Sequence, residues 1–295
     1  MYHTLDLHFQ DYSEAIGSFA IESEDGLILI ESGPFSTFNS LQKGLKKMGY
    51  SFEDVKHVLL THIHFDHAGA AWTFADRGAK IYVHPFGAGH MEDPSKLVAS
   101  ATMIYGDQMD TLWGAMKSIK RENLVVPENG EILRIGGVEI TTLYTPGHAK
   151  HHIAWEIEDK IFTGDVAGVK IGKGPVVPPC PPPDINIEDW NASIDLILSR
   201  KPKELILTHF GARQDPESHM TELKEILNDW ADWIKVKMET GLSNDEITPL
   251  FVEYTQAQLK ERGVDEIGLK QYEAANPSYM SVAGLVRYWK KKAQE

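Results

Sequence analysis

The chain of 295 residues has a single cysteine, Cys180, and no long apolar run. One cysteine excludes an intramolecular disulfide, which is typical of proteins that work in a reducing compartment. The longest aliphatic stretch, residues 27–30, is far too short to cross a bilayer, and the acidic N-terminal segment is unlike a signal peptide. We therefore expect a cytoplasmic protein without membrane association.

Positive charge is also scarce, because 29 Lys and Arg stand against 43 Asp and Glu and give a formal net charge of −14. Proteins that bind nucleic acid need a basic surface to neutralise phosphates, so a nucleic-acid partner is not expected. The sequence also lacks a phosphate-binding loop, a Gly-x-Ser-x-Gly nucleophile elbow and a dinucleotide-binding glycine pattern. The expected partner is a small-molecule substrate.

One loop, residues 61–69, is unusually rich in metal-ligand side chains and follows the apolar residues 58–60 directly. Four of them lie within six residues: His62, His64, Asp66 and His67. Imidazole nitrogens and carboxylate oxygens bind zinc and similar ions, and this set exceeds what one tetrahedral structural zinc takes from a single loop. A strand-to-helix turn capped by Asp66, with solvated histidines, is the structural alternative. Because such a turn does not need four ligand-type residues, we interpret the loop as serving two metals.

Hydrophobic periodicity predicts alternating strands and helices over residues 1–212, and helices alone over 213–295. A helical segment at 85–123, rich in Met and aromatic residues, is interpreted as an insertion that either lines a substrate pocket or packs as ordinary core. The C-terminal helices have apolar faces that either pack on the preceding domain or form a homodimer interface. The helical insertion is a second candidate for such an interface.

Further ligand-type residues end later predicted strands: His148 follows the strand at 138–145, Asp165 the strand at 160–163, and His209 the strand at 204–208. The His-x-His-x-Asp-His pattern, Thr-Pro-Gly-His at 145–148, Gly-Asp at 164–165 and the late His209 resemble, in this order, the metallo-β-lactamase superfamily. The resemblance covers roughly residues 1–212. It is closer to the glyoxalase II and lactonase type than to true β-lactamases, which generally lack the bridging Asp found here at 165.

The resemblance implies an α/β (α+β) fold, a four-layer αββα sandwich with an all-helical C-terminal extension, whose site lies at one edge where the two sheets meet. It implies two divalent ions, zinc first, although iron or manganese suits the same ligands. The implied ligands are His62, His64 and His148 for one metal, Asp66, His67 and His209 for the other, and Asp165 between them.

Residues around the ligands carry further expectations. His152 is expected to hold a ligand carboxylate or to orient His148, and His151 to face the other way. His84 is expected to pack structurally. Tyr105, or a residue near Tyr279, is a weak candidate for a hydrogen-bond donor to the substrate. Relatives usually carry Asp-x-Gly where this chain has Glu31-Ser32-Gly33, which leaves the role of that carboxylate open.

The expected activity is that of a dinuclear metal-dependent hydrolase. Paired metals lower the pKa of a shared water to roughly 7, so that a bridging hydroxide attacks an ester, thioester or lactone, or a phosphoester. Asp66 is expected to relay a proton to the leaving group. The alternative is a mononuclear iron oxygenase of the persulfide dioxygenase type, which metal count and oxygen dependence distinguish. Nucleic-acid processing and a non-catalytic metal module are further alternatives, disfavoured by the acidic surface and by the openness of the site.

Overall fold

The N-terminal part of the molecule forms one six-stranded mixed sheet in the computed structural model, which describes residues 1–294. Strands β1 to β3 form an antiparallel meander, and β3 to β6 run parallel. The strands are Tyr2–Asp6, Gly17–Ser23, Gly26–Ile30, Val55–Leu59, Lys80–Tyr82 and Leu124–Val125 (β1 to β6). Short β-type runs at 2–10, 16–22, 26–31, 57–61, 80–84 and 124–126 predict these strands to within a few residues.

A second six-stranded sheet follows, in the spatial order β12-β11-β10-β9-β8-β7. All its neighbours are antiparallel except β10 and β11. Its strands are Ile132–Ile135, Val138–Tyr144, Ile153–Ile157, Lys160–Phe162, Glu204–Leu207 and Gly211–Arg213 (β7 to β12). The last strand was not predicted, and it includes the domain boundary that the sequence predicts at 212.

The two sheets pack face to face, and their strands carry apolar side chains on both sides because helices cover the outer face of each sheet. In β3, Ile28 and Ile30 face the second sheet, whereas Leu27 and Leu29 lie in a cluster with the outer helices. In β9, Trp155 is fully buried between the sheets. Alternate residues of a strand point to opposite faces, so a strand covered on both sides needs a continuous apolar run. The result is the helix, sheet, sheet, helix layering that the resemblance implies.

Helices cover the outer faces of both sheets. Those within the first two thirds of the chain are Phe38–Lys47, Phe65–Ala68, Ala71–Ala75, Pro85–Glu92, Ser95–Tyr105, Met109–Leu112 and Ile187–Ser199 (α1 to α7). Within the predicted helical insertion at 85–123, α4 to α6 and one 3-10 turn lie between residues 85 and 112, whereas residues 113–120 are irregular and a second 3-10 turn follows at Arg121–Asn123. The Ala-rich stretch 67–77 predicts a single helix, but the structure has α2 and α3, which are separated by Gly69 and Ala70.

The C-terminal extension consists of Pro216–Glu239, Asn244–Glu261, Glu266–Ala275 and Ser278–Lys292 (α8 to α11). Ser243 and Glu246 are spaced as a capping box, and the structure has that box at the start of α9, whereas α10 was not predicted. Apolar side chains of α8, including Leu223 and Leu227, share one buried cluster with α7 and the outer face of the second sheet. These faces therefore pack on the preceding domain. None of the helices within residues 1–294 combines the length and apolar composition that a bilayer span requires.

Candidate metal centre

The loop after β4 carries the first four predicted ligands to one edge of the sandwich. After β4 the chain is irregular over residues 60–64, with bends at Thr61 and His64, and α2 then begins at Phe65, so that Asp66 and His67 lie on its first turn. No side chain caps the N-terminus of α2, and its N-cap residue is His64 rather than Asp66. The capping alternative for Asp66 is therefore wrong.

The remaining predicted ligands come from the ends of three strands of the second sheet. His148 follows β8, Asp165 lies in a 3-10 turn after β10, and His209 follows β11. Gly164 precedes Asp165 with a positive φ of 50°, and a Cβ at this position would overlap the Thr61 hydroxyl. The Gly-Asp pair of the motif therefore combines a required glycine with the carboxylate between the sheets.

Four of the seven residues form a first cluster. His64 Nδ1 lies 2.8 Å from His62 Nε2 and 3.1 Å from His148 Nε2. His148 Nε2 also lies 3.3 Å from Oδ2 of Asp165. His62, His64 and His148 form one of the groups whose ligand atoms are close enough together to hold an ion.

A second cluster lies on the other side of Asp165. Oδ2 of Asp66 is 3.5 Å from His67 Nε2 and 3.6 Å from His209 Nε2. Oδ1 of Asp165 is 3.2 Å from His67 Nε2 and 3.3 Å from His209 Nε2. Asp165 thus presents one carboxylate oxygen to each cluster.

Three possible metal-binding atoms of the second cluster have no hydrogen-bond partner in the described part of the protein. His67 Nε2, His209 Nε2 and Asp165 Oδ1 are buried and have no hydrogen-bond partner within residues 1–294. Buried polar atoms nearly always have a partner, so these three atoms need one from outside the chain. Imidazole nitrogens and a carboxylate oxygen converging within 4.8 Å suit a divalent ion.

The opposite ring nitrogen of most of these histidines is hydrogen-bonded to the protein. Such a bond fixes the tautomer and aims the free nitrogen lone pair at the centre. The partners are Thr61 Oγ1 for His62 Nδ1 (3.1 Å), Glu31 Oε1 for His67 Nδ1 (3.0 Å), the Pro179 carbonyl for His148 Nδ1 (2.8 Å) and the Ala15 carbonyl for His209 Nδ1 (2.6 Å). A carbonyl oxygen can only accept, so His148 and His209 donate from Nδ1 and leave Nε2 free to bind.

The two clusters differ electrostatically. Burial, with the neighbouring His148 adding to its effect, lowers the pKa of His64 to about 3, so this imidazole is neutral and able to ligate. Burial acts in the same direction on His209, but the Asp165 and Asp66 carboxylates outweigh it and raise the pKa of His209 to about 9. The two carboxylates thus favour positive charge at the second cluster, and a bound cation would take the place of the His209 proton and leave Nε2 as a ligand.

Glu31 and His152 form hydrogen bonds that hold predicted ligands in position. The buried Glu31 carboxylate accepts hydrogen bonds from His67 Nδ1 and from the main-chain N–H of Thr61. The longer side chain thus reaches the site, which answers the question that this departure from the family pattern leaves open. His152 Nε2 accepts the Asp165 main-chain N–H at 3.2 Å. It positions the backbone of that ligand, neither holding its carboxylate nor bonding to His148.

Other predicted neighbours have different outcomes. The rings of His151 and His152 lie 6.1 and 5.1 Å from the ring of His62. His151 lines the cavity, whereas His152 is bonded to the Asp165 main chain, and the expectation that the two side chains face different ways stays a prediction. His84 accepts the Phe86 N–H at 3.1 Å as the N-cap of α4, a structural role as expected.

A cavity of about 610 Å³ opens over both clusters. Its lining includes four of the predicted ligands: His64, Asp66, His148 and Asp165. The rest comes largely from α5, from the Pro-rich segment 179–183 and from residues 274–280 of the C-terminal extension. A groove of about 890 Å³ beside the start of α8 is larger but contains none of the seven, so the cavity over the ligands is the candidate substrate site.

The comparisons with known proteins agree with this geometry. The sequence profile of the metallo-beta-lactamase superfamily matches residues 16–209. The chain is 30% identical over 223 residues to the metallo-beta-lactamase fold-containing protein ST1585 of Sulfurisphaera tokodaii, covering 72% of this chain and 81% of that one. It is 29% identical to the hydroxyacylglutathione hydrolase of Shewanella halifaxensis over 37% of this chain, and spans 32% of that protein's length.

A solved structure extends the likeness to the helical C-terminus. The metallo-beta-lactamase family protein TTHA1429 from Thermus thermophilus superimposes with a TM-score of 0.68, covering 99% of this chain and 94% of that chain at 19% identity. At this identity the likeness concerns the fold alone. Motifs, profile match and fold together show that the chain belongs to the metallo-beta-lactamase superfamily, a family of largely hydrolytic metalloenzymes.

Proposed function

We propose that the protein is a dinuclear metal-dependent hydrolase of small carboxylic esters, thioesters or lactones. The observation that carries the proposal is the Asp165 carboxylate, whose two oxygens face two separate sets of imidazole ligands. His62, His64 and His148 would hold one ion, and Asp66, His67 and His209 the other. Zinc is the first candidate, and iron or manganese suits the same donors.

Two bound ions would supply an activated water and an electrophile for a carbonyl oxygen at neutral pH. The protein contributes access from one side only. His64, Asp66, His148 and Asp165 line the cavity, whereas His62, His67 and His209 are buried behind them. A substrate carbonyl therefore approaches from the cavity, while the opposite side is closed by protein.

Asp66 is the second-cluster ligand best placed to handle a proton. Its side chain is 20% exposed, whereas the His67 and His209 side chains are 0% and 1% exposed. Because Asp66 lines the cavity, its carboxylate can receive a proton and pass it to a leaving group there. This relay is part of the proposal.

The substrate class rests on two supports. A cavity lined mainly by apolar side chains suits a neutral acyl compound, and the net charge of −14 disfavours a polyanion such as nucleic acid. One relative is named a hydroxyacylglutathione hydrolase, which is a hydrolase of a thioester. Esters and thioesters share a scissile carbonyl that the same site can polarise.

The test combines an activity panel with ligand variants. Protein loaded with Zn²⁺, Mn²⁺ or Fe²⁺ is assayed against an aryl ester, a thioester, a lactone and a phosphodiester. We expect metal-dependent hydrolysis of a carboxylic substrate. The activity of His64→Ala should fall by roughly 100-fold or more, the scale of a lost catalytic group. The exposed control His8→Ala should keep its activity. One iron per chain, with no hydrolysis but oxygen uptake on a persulfide, would replace the proposal by the dioxygenase alternative.

A further inference from the structure

One wall of the cavity over the metal clusters is a set of packed aromatic rings. Trp113 stacks on Phe9 with ring centroids 5.3 Å apart and contacts Tyr105 at 5.2 Å and Phe65 at 6.1 Å. All four side chains line the cavity. Phe65 directly precedes Asp66 in the chain, so this aromatic wall begins next to the second cluster of ligands.

The cavity has further apolar lining. Leu97 and Ala101 of α5 contribute to it, and so do Ala275 of α10 and Met280 of α11. Tyr105, at the end of α5, lies next to Tyr279 of α11, so the insertion and the extension meet beside the cavity.

The cavity is larger than the space that metal ions and a bound water would occupy. Its volume of about 610 Å³ falls within the range of roughly 300–1,000 Å³ for sites of small organic ligands, which bury most of the ligand surface. An acetyl group would leave most of this volume unfilled. The aromatic wall has one unused polar atom, Trp113 Nε1, which is buried without a hydrogen-bond partner within residues 1–294.

We propose that the natural substrate is an ester or thioester with an apolar group of several carbons next to the reacting bond, and that the Trp113 wall binds this group. The inference rests on the proposed hydrolase function. In the reaction, water adds its oxygen to the acyl carbon, the acyl C–O or C–S bond breaks, and the leaving group takes a proton. Water is the only co-reactant, and the products are a carboxylic acid and an alcohol or a thiol, one of which carries the apolar group.

The magnitude follows from burial of methylene groups. Each buried CH₂ contributes about 0.8 kcal/mol, which corresponds to roughly a fourfold gain in affinity or in kcat/KM. A series of p-nitrophenyl acetate, butanoate, hexanoate and octanoate should therefore show kcat/KM rising by roughly tenfold or more per step of two carbons until the cavity is filled. An acetate ester series with lengthening alcohols distinguishes binding on the leaving-group side from binding on the acyl side.

Two variants of α5 test whether the cavity is responsible. Ser100 lines the cavity and Ala99, its neighbour, does not, and both are exposed. Ser100→Trp fills the cavity from its mouth and should abolish the chain-length preference while acetate is still hydrolysed. Ala99→Trp adds the same bulk towards solvent and should leave the preference unchanged. Trp113→Phe keeps an aromatic ring and should retain most of the preference.

The possible results distinguish a failure of the substrate inference from a failure of the proposed hydrolase function. Hydrolysis that is independent of chain length in both series, or a preference that survives in Ser100→Trp, would overturn the inference and leave the hydrolase proposal intact. If no ester, thioester or lactone is hydrolysed, the hydrolase proposal fails. In that case calorimetry of octanamide against butanamide with the metal-loaded protein tests the wall directly, and equal affinities would overturn the inference.

Discussion

At the scale of single residues, Glu31 connects the two clusters of ligands. Its carboxylate accepts a hydrogen bond from His67 Nδ1 at 3.0 Å and another from the Thr61 hydroxyl. The Thr61 hydroxyl in turn accepts from His62 Nδ1 at 3.1 Å. One buried carboxylate thus orients a proposed ligand of each metal, directly in one case and through Thr61 in the other.

Replacing Glu31 by Gln should weaken metal binding without unfolding the protein. The side chain keeps its size, but its amide N–H₂ cannot accept, so either His67 or Thr61 loses an acceptor. Loss of such a supporting hydrogen bond typically lowers metal affinity by roughly 10- to 100-fold. Competition of Zn²⁺ against a chromophoric chelator measures the change. The exposed Glu22→Gln is the matched control, and wild-type affinity in Glu31→Gln would contradict the assigned role.

Replacing Asp66 by Asn tests the proton relay. The amide preserves the shape of the side chain but does not take up a proton near neutral pH, so turnover should fall by roughly 10²- to 10⁴-fold, the contribution of a general acid or base. The metal content must be measured on the same sample, because Asp66 is also a proposed ligand. A variant with its full metal complement and wild-type turnover would remove the relay from the proposal.

At the scale of elements, the C-terminal helices position a proposed metal ligand. His148 Nδ1 donates to the Pro179 carbonyl, and the chain on either side of Pro179 is held by the extension. The Cys180 N–H donates to Ser281 Oγ at 3.3 Å, and Asn276 Nδ2 donates to the Pro178 carbonyl at 3.2 Å. The extension therefore reaches the site through the Pro-rich segment as well as through the cavity lining.

A methyl group at Gly284 of α11 should disturb this contact. A Cβ at position 284 would overlap the Cys180 carbonyl oxygen, so the helix or the segment 178–180 must move. Overpacking of this kind typically lowers the free energy of unfolding by about 1–3 kcal/mol. Urea unfolding of Gly284→Ala measures this effect, and a chelator titration should show weakened binding of one of the two ions, because His148 is displaced.

The matched control for this substitution is Gly89→Ala in α4, where a Cβ has no atom within 4 Å. Alanine is a better helix former than glycine, so this variant should be neutral or more stable by up to about 1 kcal/mol. Equal behaviour of the two variants would mean that the close approach of α11 to Cys180 does not constrain the segment.

At the scale of the whole molecule, metal binding should contribute to stability. The site gathers the buried carboxylates of Glu31 and Asp165 with that of Asp66 inside a chain whose net charge is already −14. A ligand that binds only the folded state stabilises it by about 2.7 kcal/mol at a concentration of 100 times its Kd. Chelation should therefore lower Tm by several degrees, and Zn²⁺ should restore it.

Calorimetry with and without a chelator measures this shift, and Mg²⁺ is the control ion because it disfavours imidazole ligands. If Mg²⁺ restored Tm as effectively as Zn²⁺, the stabilisation would come from cation charge in general and not from binding at the histidine site. An unchanged Tm after complete removal of metal would contradict the role of the ions in offsetting the buried carboxylates.

Features that depend on residues close together in the chain can be predicted from the sequence, whereas features that depend on contacts between distant segments cannot. The seven ligands are predictable because each follows a strand and belongs to a short local motif. The Pro179 carbonyl that holds His148 has no side-chain signature, and the Trp113 wall is assembled from segments far apart in sequence. β12 has only three residues, which is too few for a periodic pattern.

The central claim is that one chain holds two neighbouring ions on either side of Asp165, and the number of bound ions tests it most directly. Elemental analysis of protein purified without added metal, and again after reconstitution with Mn²⁺, counts the ions per chain. Electron paramagnetic resonance of the Mn²⁺ form then reports whether they are adjacent. We predict two ions per chain with a spin-coupled signal. A single uncoupled ion at saturation would contradict the dinuclear site.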